Sequence, residues 1–196
     1  MLLEAETRNP GPWVAHSRNV ALAAKCIAEH CPELDAAASY ILGLLHDIGR
    51  REGVTGMRHT LDGYAFLHER GFEDAARICL THSFPRQDAQ AIFGRWDVTT
   101  AEFEVVEAYL SKLEYDDYDR LLQLCDCLAL PEGICLLEKR MVDAALRYGV
   151  NAYTVSKWQG YIELQAYFEG IIGGSIYGVL PGVMETTFGL EASSKC

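Results

Sequence analysis

Positive charge is scarce in this chain. Its 196 residues include 17 lysines and arginines against 28 aspartates and glutamates, which gives a formal net charge of −11. Proteins that bind nucleic-acid polymers usually carry a basic stripe on the surface that contacts phosphates, and this sequence has none. We therefore expect no nucleic-acid polymer as a partner, and any anionic small molecule must be attracted by bound cations or by a few arginines.

The cysteines lack the spacing of a disulfide or zinc framework. Their number is odd, and none forms a Cys-x-x-Cys pair. The nearest two, Cys125 and Cys127, would lie about 200° apart around a helix and could not share one metal ion. The first residues also lack a basic segment followed by an apolar one. We expect a cytoplasmic protein with free, mostly buried thiols. The seven cysteines are Cys26, Cys31, Cys79, Cys125, Cys127, Cys135 and Cys196.

Long uninterrupted apolar runs, alternating strand patterns and low-complexity tracts are also missing. The most apolar stretch, residues 161–180, contains Glu163, Gln165, Glu169 and several glycines. It predicts an amphipathic helix followed by a glycine-rich turn rather than a membrane span. A chain of this length can bury roughly 70% of its unfolded surface. These features together predict an all-α fold with one sizeable core and no membrane partner.

Helical patterns are what the sequence does contain. Pro12 is typical of the first turn of a helix, which we expect to run to about His30. Asp35 predicts the N-cap of the next helix, and Thr99 with Glu102 has the spacing of a capping box. Further helices are expected at about 59–70, 72–84 and 117–130, and from after Gly133 to about 148.

The most apolar of these helices ends in two adjacent polar residues, His46 and Asp47. Residues 40–45 are apolar around the whole circumference, which predicts a central helix that is buried on every side. Burying an imidazole and a carboxylate without partners costs several kcal/mol, so the pair is predicted to belong to a satisfied polar site.

Four further polar residues fall on apolar helix faces or near helix ends: His16, His59, His82 and Asp126. Each is weak evidence when taken alone, because a histidine on an apolar face is more often hydrogen-bonded to a carbonyl than bound to a metal. A helical bundle with core histidines and two surface aspartates is therefore the alternative interpretation. The acidic run at residues 114–119 is interpreted as a solvated loop and helix start, since it lacks the ligand spacing of a calcium loop.

In their order along the chain, these residues resemble the ligand pattern of the HD-domain superfamily of metal-dependent phosphohydrolases. In that superfamily the His-Asp pair ends a central helix, often as Leu-Leu-His-Asp-Ile-Gly-Lys, and residues 44–49 match this motif. The resemblance implies four ligands for one ion and two more for a second: His16, His46, Asp47 and Asp126, then His59 and His82.

Asp47 and Arg50 are the predicted catalytic residues. Neighbouring residues on a helix diverge by about 100°, so His46 and Asp47 cannot serve one ion equally, but Asp47 can bridge two ions. Arg50 replaces the lysine of many superfamily members; it keeps the charge for phosphate binding, although a proton-transfer role becomes doubtful. Four more arginines near the ligands in sequence are candidates to bind phosphate: Arg18, Arg51, Arg58 and Arg86.

The resemblance covers residues 13–130 and implies a single compact multi-helix HD-domain bundle. We divide the chain into an N-terminal segment (1–12), a metal-binding core (13–130) and a C-terminal helical extension (131–196) that covers the core or forms a homodimer. Histidine and carboxylate ligands suit one or two divalent transition-metal ions, with iron or manganese favoured and cobalt, nickel or zinc as further candidates.

The implied activity is hydrolysis of a small phosphorylated substrate, with a nucleotide as the favoured class. Two alternatives remain open. Some proteins with a similar six-ligand pattern use two iron ions to cleave a carbon bond with oxygen, and an HD domain can also sense a ligand without catalysis.

Overall fold

The computed structural model describes residues 1–190, and within them the fold is almost entirely helical, which confirms the predicted all-α class. In chain order the α-helices are α1 (Leu2–Arg8), α2 (Pro12–Ala28), α3 (Ala36–Leu45), α4 (Arg58–His68), α5 (Glu73–Thr81), α6 (Thr100–Lys112), α7 (Asp117–Asp126), α8 (Leu137–Tyr148), α9 (Thr154–Ile172) and α10 (Val183–Phe188). Two 3₁₀-helices, Ile48–Glu52 and Ile176–Gly178, and a hairpin of β1 (Ala129–Leu130) and β2 (Gly133–Ile134) complete the described residues. Cys196 lies outside them.

Helix starts follow the predicted side-chain signals. Pro12 occupies the first turn of α2. Asp35 accepts a hydrogen bond from the Ala38 backbone N–H at 2.7 Å at the start of α3. Thr99 and Glu102 form both hydrogen bonds of the predicted capping box at α6. Each bond satisfies a backbone group that the first helical turn leaves unpaired, and this fixes where the helix begins.

Helix ends are less well predicted. α4 ends at His68 instead of about residue 70, and α5 ends at Thr81 instead of about residue 84. α7 ends at Asp126 instead of about residue 130, because the chain turns into the hairpin in which Ala129 pairs with Ile134. Strands of two residues are too short to produce a recognisable alternation in the sequence. The consequence for the site is that Asp126 is the last residue of its helix.

Two glycines let neighbouring elements approach closely around the predicted site. Gly43 of α3 faces α2, and a Cβ at this position would lie 2.5 Å from the Cα of Ala21. Gly49 faces α4, and a Cβ there would lie 2.0 Å from the carbonyl oxygen of His59. Only a residue without a side chain fits at either crossing. These close approaches bring together α2, α3 and α4. The three helices carry His16, lead into His46 and carry His59.

The prediction that residues 40–45 are buried on every side is wrong. Ile41 is 54% exposed and Tyr40 is 37% exposed, whereas Leu42 and Leu45 are buried. α2 covers one face of α3. Part of the rest of α3 borders a surface cavity of about 620 Å³, lined also by Phe72. Apolar residues on all sides of a short helix therefore line a groove as well as the core.

The interpretation of the acidic run as a solvated loop and helix start is wrong for the side chain of Asp119. This residue is completely buried. Its carboxylate accepts hydrogen bonds from the Thr81 hydroxyl at 2.7 Å and from Arg77 Nε at 3.0 Å. A buried carboxylate with this many charged and polar donors is compensated for its loss of hydration. The network ties the end of α5, next to His82, to α7, which carries Asp126.

The helices after residue 130 pack on the same core. Tyr161 and Phe168 of α9 are buried in one apolar cluster with Leu121 of α7. Gly173 directly follows α9, and its φ of 75° is in the left-handed region that favours glycine. A helix followed by a turn at glycine is the order that the sequence predicted for residues 161–180. None of the helices described is both long enough and apolar enough to cross a membrane.

Candidate metal centre

The six predicted ligands, although far apart in the sequence, meet at one place in the core. His16 lies in α2, His46 just after α3, Asp47 at the start of the first 3₁₀-helix, His59 in the first turn of α4, His82 just after α5 and Asp126 at the end of α7. All are buried except Asp126, which is partly exposed. Four of the six lie at or just beyond the end of a helix, where the side chain can reach inward without interrupting the helix.

Three of these residues form what we call the outer group: His16, His46 and Asp126. Their possible ligand atoms all lie within 4.8 Å of one another. Asp126 Oδ1 is 3.0 Å from His16 Nε2 and 3.8 Å from His46 Nε2. Two imidazole nitrogens and a carboxylate oxygen around one point form a donor set suited to a divalent transition-metal ion.

A second set, the inner group, consists of His46, Asp47 and His82, again with ligand atoms within 4.8 Å of one another. Asp47 Oδ2 is 3.9 Å from His46 Nε2, and Asp47 Oδ1 is 3.7 Å from His82 Nε2. His59 adjoins this group, since its Nε2 is 3.1 Å from Asp47 Oδ1. His46 belongs to both groups, and the two oxygens of Asp47 face different histidines.

Backbone carbonyls orient three of the imidazoles. The Nδ1 atoms donate within the local helical turn: His46 to the carbonyl of Gly43 at 2.7 Å, His59 to that of Gly56 at 2.5 Å and His82 to that of Ile78 at 3.0 Å. Because each Nδ1 carries the hydrogen, each Nε2 has a free lone pair directed toward the cluster. This arrangement is typical of histidines that bind metals.

Several atoms at the centre have no hydrogen-bond partner in the protein. These are His46 Nε2, His59 Nε2 and Asp47 Oδ1, all fully buried; the last two face each other at 3.1 Å without the geometry of a hydrogen bond. Leaving buried polar atoms unpaired is costly, so unpaired atoms in a native structure require an explanation. A bound cation supplies one, and the residues present therefore fit a metal. The alternative with two surface aspartates is wrong for Asp47, which is buried.

The charges of the cluster favour metal binding. Burial raises the pKa of Asp47, but Arg50, His59 and His46 more than offset this effect, and the pKa lies well below its usual range. Burial also raises the pKa of Asp126, and His16 reverses the effect, so that this pKa too is lowered. Burial lowers the pKa of His46 and takes that of His82 to about 3. At neutral pH both carboxylates are ionised and these two imidazoles are neutral, as metal ligands must be.

Arg50, predicted to be catalytic, contacts the cluster through Asp47. Its Nε donates to Asp47 Oδ2 at 2.5 Å, and its carbonyl oxygen accepts a hydrogen bond from Asn9 Nδ2 at 2.5 Å. The guanidinium is about one-third exposed. It therefore borders both the buried carboxylate and solvent, and its catalytic role stays a prediction.

The four other candidate arginines are engaged by carboxylates in the structure. Arg18 pairs with Glu6, Arg51 with Glu4 and Glu52, Arg58 with Asp62 and Glu102, and Arg86 with Glu163. In each of these arginines a carboxylate accepts a hydrogen bond from the guanidinium and would compete with a phosphate for it.

Two basic residues that the sequence did not single out form hydrogen bonds with backbone carbonyls close in sequence to the ligands. Lys157 of α9 donates to the carbonyl of Ser83, the residue after His82, at 2.8 Å. Arg140 of α8 donates through Nε to the carbonyl of Ala129 at 3.1 Å. Nothing in the local sequence separates either residue from a basic residue on an exposed helix face, because their position depends on how α8 and α9 fold back.

The helical fold and the His/Asp cluster together define a class of proteins: all-α proteins with a candidate centre for one or two divalent ions. Comparison with protein families narrows this class, since the family described as HD domain matches residues 13–130. The chain belongs to the HD-domain superfamily, whose members are metal-dependent phosphohydrolases that bind divalent metals. Neither the comparison with curated proteins nor that with solved structures finds a match.

Proposed function

We propose that the chain is a metal-dependent phosphohydrolase that acts on a small phosphorylated substrate, with a nucleotide as the favoured class. One observation carries the proposal: two adjacent ligand groups share His46 and contain buried ligand atoms with no partner in the protein. In this proposal the residues of the outer group and those of the inner group would each hold one divalent ion, with His46 common to both groups. When bound, such ions supply an activated water and neutralise phosphoryl oxygens.

The protein's own residues would position the reaction. Arg50 holds one oxygen of Asp47 and keeps the carboxylate ionised and fixed in orientation. The carbonyls of Gly43 and Ile78 fix the rings of His46 and His82, so the ligand atoms need little rearrangement when an ion binds. The acidic surface favours a small substrate over a polymer, because the net charge of −11 repels an extended polyanion.

The first experiment is metal analysis of protein purified without chelator, followed by phosphate release from a panel of nucleotides and sugar phosphates with manganese or iron. We expect stoichiometric metal, and phosphate release that Asp47→Asn abolishes. Asp74→Asn is the matched control, since Asp74 is an exposed aspartate on α5 outside the cluster.

Absence of metal in the parent protein would contradict the metal centre. Oxygen consumption by the iron-loaded protein without phosphate release would replace hydrolysis with the oxygenase alternative. Metal binding without either activity on any substrate of the panel would favour a ligand-sensing domain.

A further inference from the structure

The candidate metal centre is open to solvent on one side. The side chains of His46, His59 and His82 are at most 3% exposed, whereas those of Asp126 and His16 are 18% and 11% exposed. A substrate that reaches a metal ion in the outer group therefore approaches past Asp126. Whatever basic groups lie on this side are placed to meet the substrate's charge.

Lys157 lies beside the centre and has donors that form no hydrogen bond to the described residues. Its side chain is buried, and its ammonium group donates one hydrogen bond, to the Ser83 carbonyl next to His82. The ammonium also lies 4.6 Å from the centre of the Phe93 ring. An ammonium carries three N–H groups, and within residues 1–190 Lys157 forms no ion pair with a carboxylate. The Tyr161 ring lies 5.9 Å away on another side. A buried cation with one hydrogen bond and two aromatic neighbours is costly unless an anion joins it.

Arg140 adds a second incompletely used cation. Its Nε donates to the Ala129 carbonyl, three residues beyond Asp126. Its Nη1 is buried without a hydrogen-bond partner and lies 3.5 Å from Asp143 Oδ2, an ion pair without a hydrogen bond. The planar fork of an arginine suits two oxygens of a phosphate group, and Nη1 of this fork has no hydrogen-bond partner in the described part of the chain.

The two cations are also close enough to the centre to interact with its charge. The carboxylate of Asp126 acts electrostatically on both Arg140 and Lys157, and the two cations act on each other. In a chain with a net charge of −11 this is a local concentration of positive charge beside a candidate metal centre. The four arginines considered from the sequence differ in that each donates a hydrogen bond to a carboxylate, whereas among the described residues neither Arg140 nor Lys157 does.

We propose that Arg140 and Lys157 bind the phosphoryl oxygens of the substrate beside Asp126. The inference rests on the proposed function only in taking the substrate to be phosphorylated. Both residues lie after residue 130, outside the part of the chain that matches the HD domain. The C-terminal extension thus supplies the anion-binding half of the site, and the HD core supplies the metal-binding half.

The test is binding of inorganic phosphate to the manganese-loaded protein, measured by titration calorimetry. Lys157→Met and Arg140→Met are each expected to raise the dissociation constant for phosphate at least about tenfold. The matched control is Lys139→Met, which removes the same charge from an exposed position beside Arg140 on α8 and should leave the constant within about twofold. Metal content should be unchanged in all three variants, because none of these residues is a ligand.

Phosphate binding by both variants as tight as in the parent, or no phosphate binding by the parent, would overturn the inference. If Lys157→Met fails to fold, Arg140→Met decides alone, since the Arg140 side chain is partly exposed and easier to replace. The proposed function is judged separately. If the parent binds phosphate through Arg140 and Lys157 but hydrolyses nothing, this inference stands and the hydrolase proposal is wrong. If the protein hydrolyses a substrate and KM is unchanged in both variants, the hydrolase proposal stands and this inference is wrong.

Discussion

The outer and inner ligand groups use the same residue types but differ in their access to solvent. The outer group contains the two most exposed ligands, His16 and Asp126. The inner group is built from Asp47 and His82, which are almost completely buried. An ion in the inner group would exchange slowly and organise the core, whereas an ion in the outer group would be accessible to water and substrate. The difference suggests a structural and a reactive half of one centre, joined by His46.

The largest effect is expected from His46→Ala, since His46 belongs to both groups. Loss of a residue that only hydrogen-bonds a metal ligand already costs about 10- to 100-fold in metal affinity or activity. Loss of a shared ligand should therefore cost more than about 100-fold in phosphate release and should remove most of the bound metal. Activity assays and metal analysis check this, with His68→Ala as the control because His68 is exposed and pairs only with Glu73. Retention of two ions in the variant would contradict a shared role for His46.

Comparing the variants His82→Ala and His16→Ala tests whether the inner and outer groups each hold their own ion. His82 serves only the inner group and His16 only the outer group. If each group holds its own ion, each variant should fall from about two ions per chain to about one, and His16→Ala should lose the more exchangeable ion. Metal analysis before and after brief dialysis distinguishes the two variants. Identical losses in both would mean that the six residues hold a single ion.

Metal removal should separate the groups in time. We expect a chelator to remove the outer ion quickly and the inner ion slowly, because only the outer group has partly exposed ligands. An ion present at a thousand times its dissociation constant stabilises the native state by about 4 kcal/mol. Thermal unfolding should therefore shift to lower temperature in two steps as the two ions leave. A single kinetic phase of metal release, with a single shift in Tm, would contradict the division.

The parts of this picture that could be predicted from the sequence are those determined by local chemistry. The capping residues Asp35 and Thr99 predict where α3 and α6 begin, because a side-chain oxygen that pairs a helix N–H acts within three residues. The six candidate ligands could be nominated from the sequence because each is a polar residue at an apolar helix face or end. Their convergence could not be derived from helical periodicity, and it required the resemblance to a known family.

The parts that could not be predicted depend on contacts between distant segments. Asp119 looks like part of a solvated acidic run until Arg77 and Thr81 pack against it. Arg140 and Lys157 look like ordinary basic residues on helices until α8 and α9 fold back on the core. In each case the side chain's environment is supplied by residues more than ten positions away, about which a local pattern carries no information.

The smallest effect, and the most direct test of how the outer group is built, is expected from Gly43→Ala. The added Cβ would lie 2.5 Å from the Cα of Ala21, so α3 must move away from α2. Overpacking of this kind typically costs about 1–3 kcal/mol. His16 is on α2 and His46 follows α3, so the movement should weaken metal binding by the outer group more than by the inner group. Gly170→Ala in α9 is the control, because no atom of the described residues lies within 4 Å of the Cβ that it adds. This change should stabilise the fold by up to about 1 kcal/mol. Chemical denaturation and metal titration of both variants measure these effects, and equal weakening of the two groups by Gly43→Ala would show that the α2–α3 crossing does not set the geometry of the outer group.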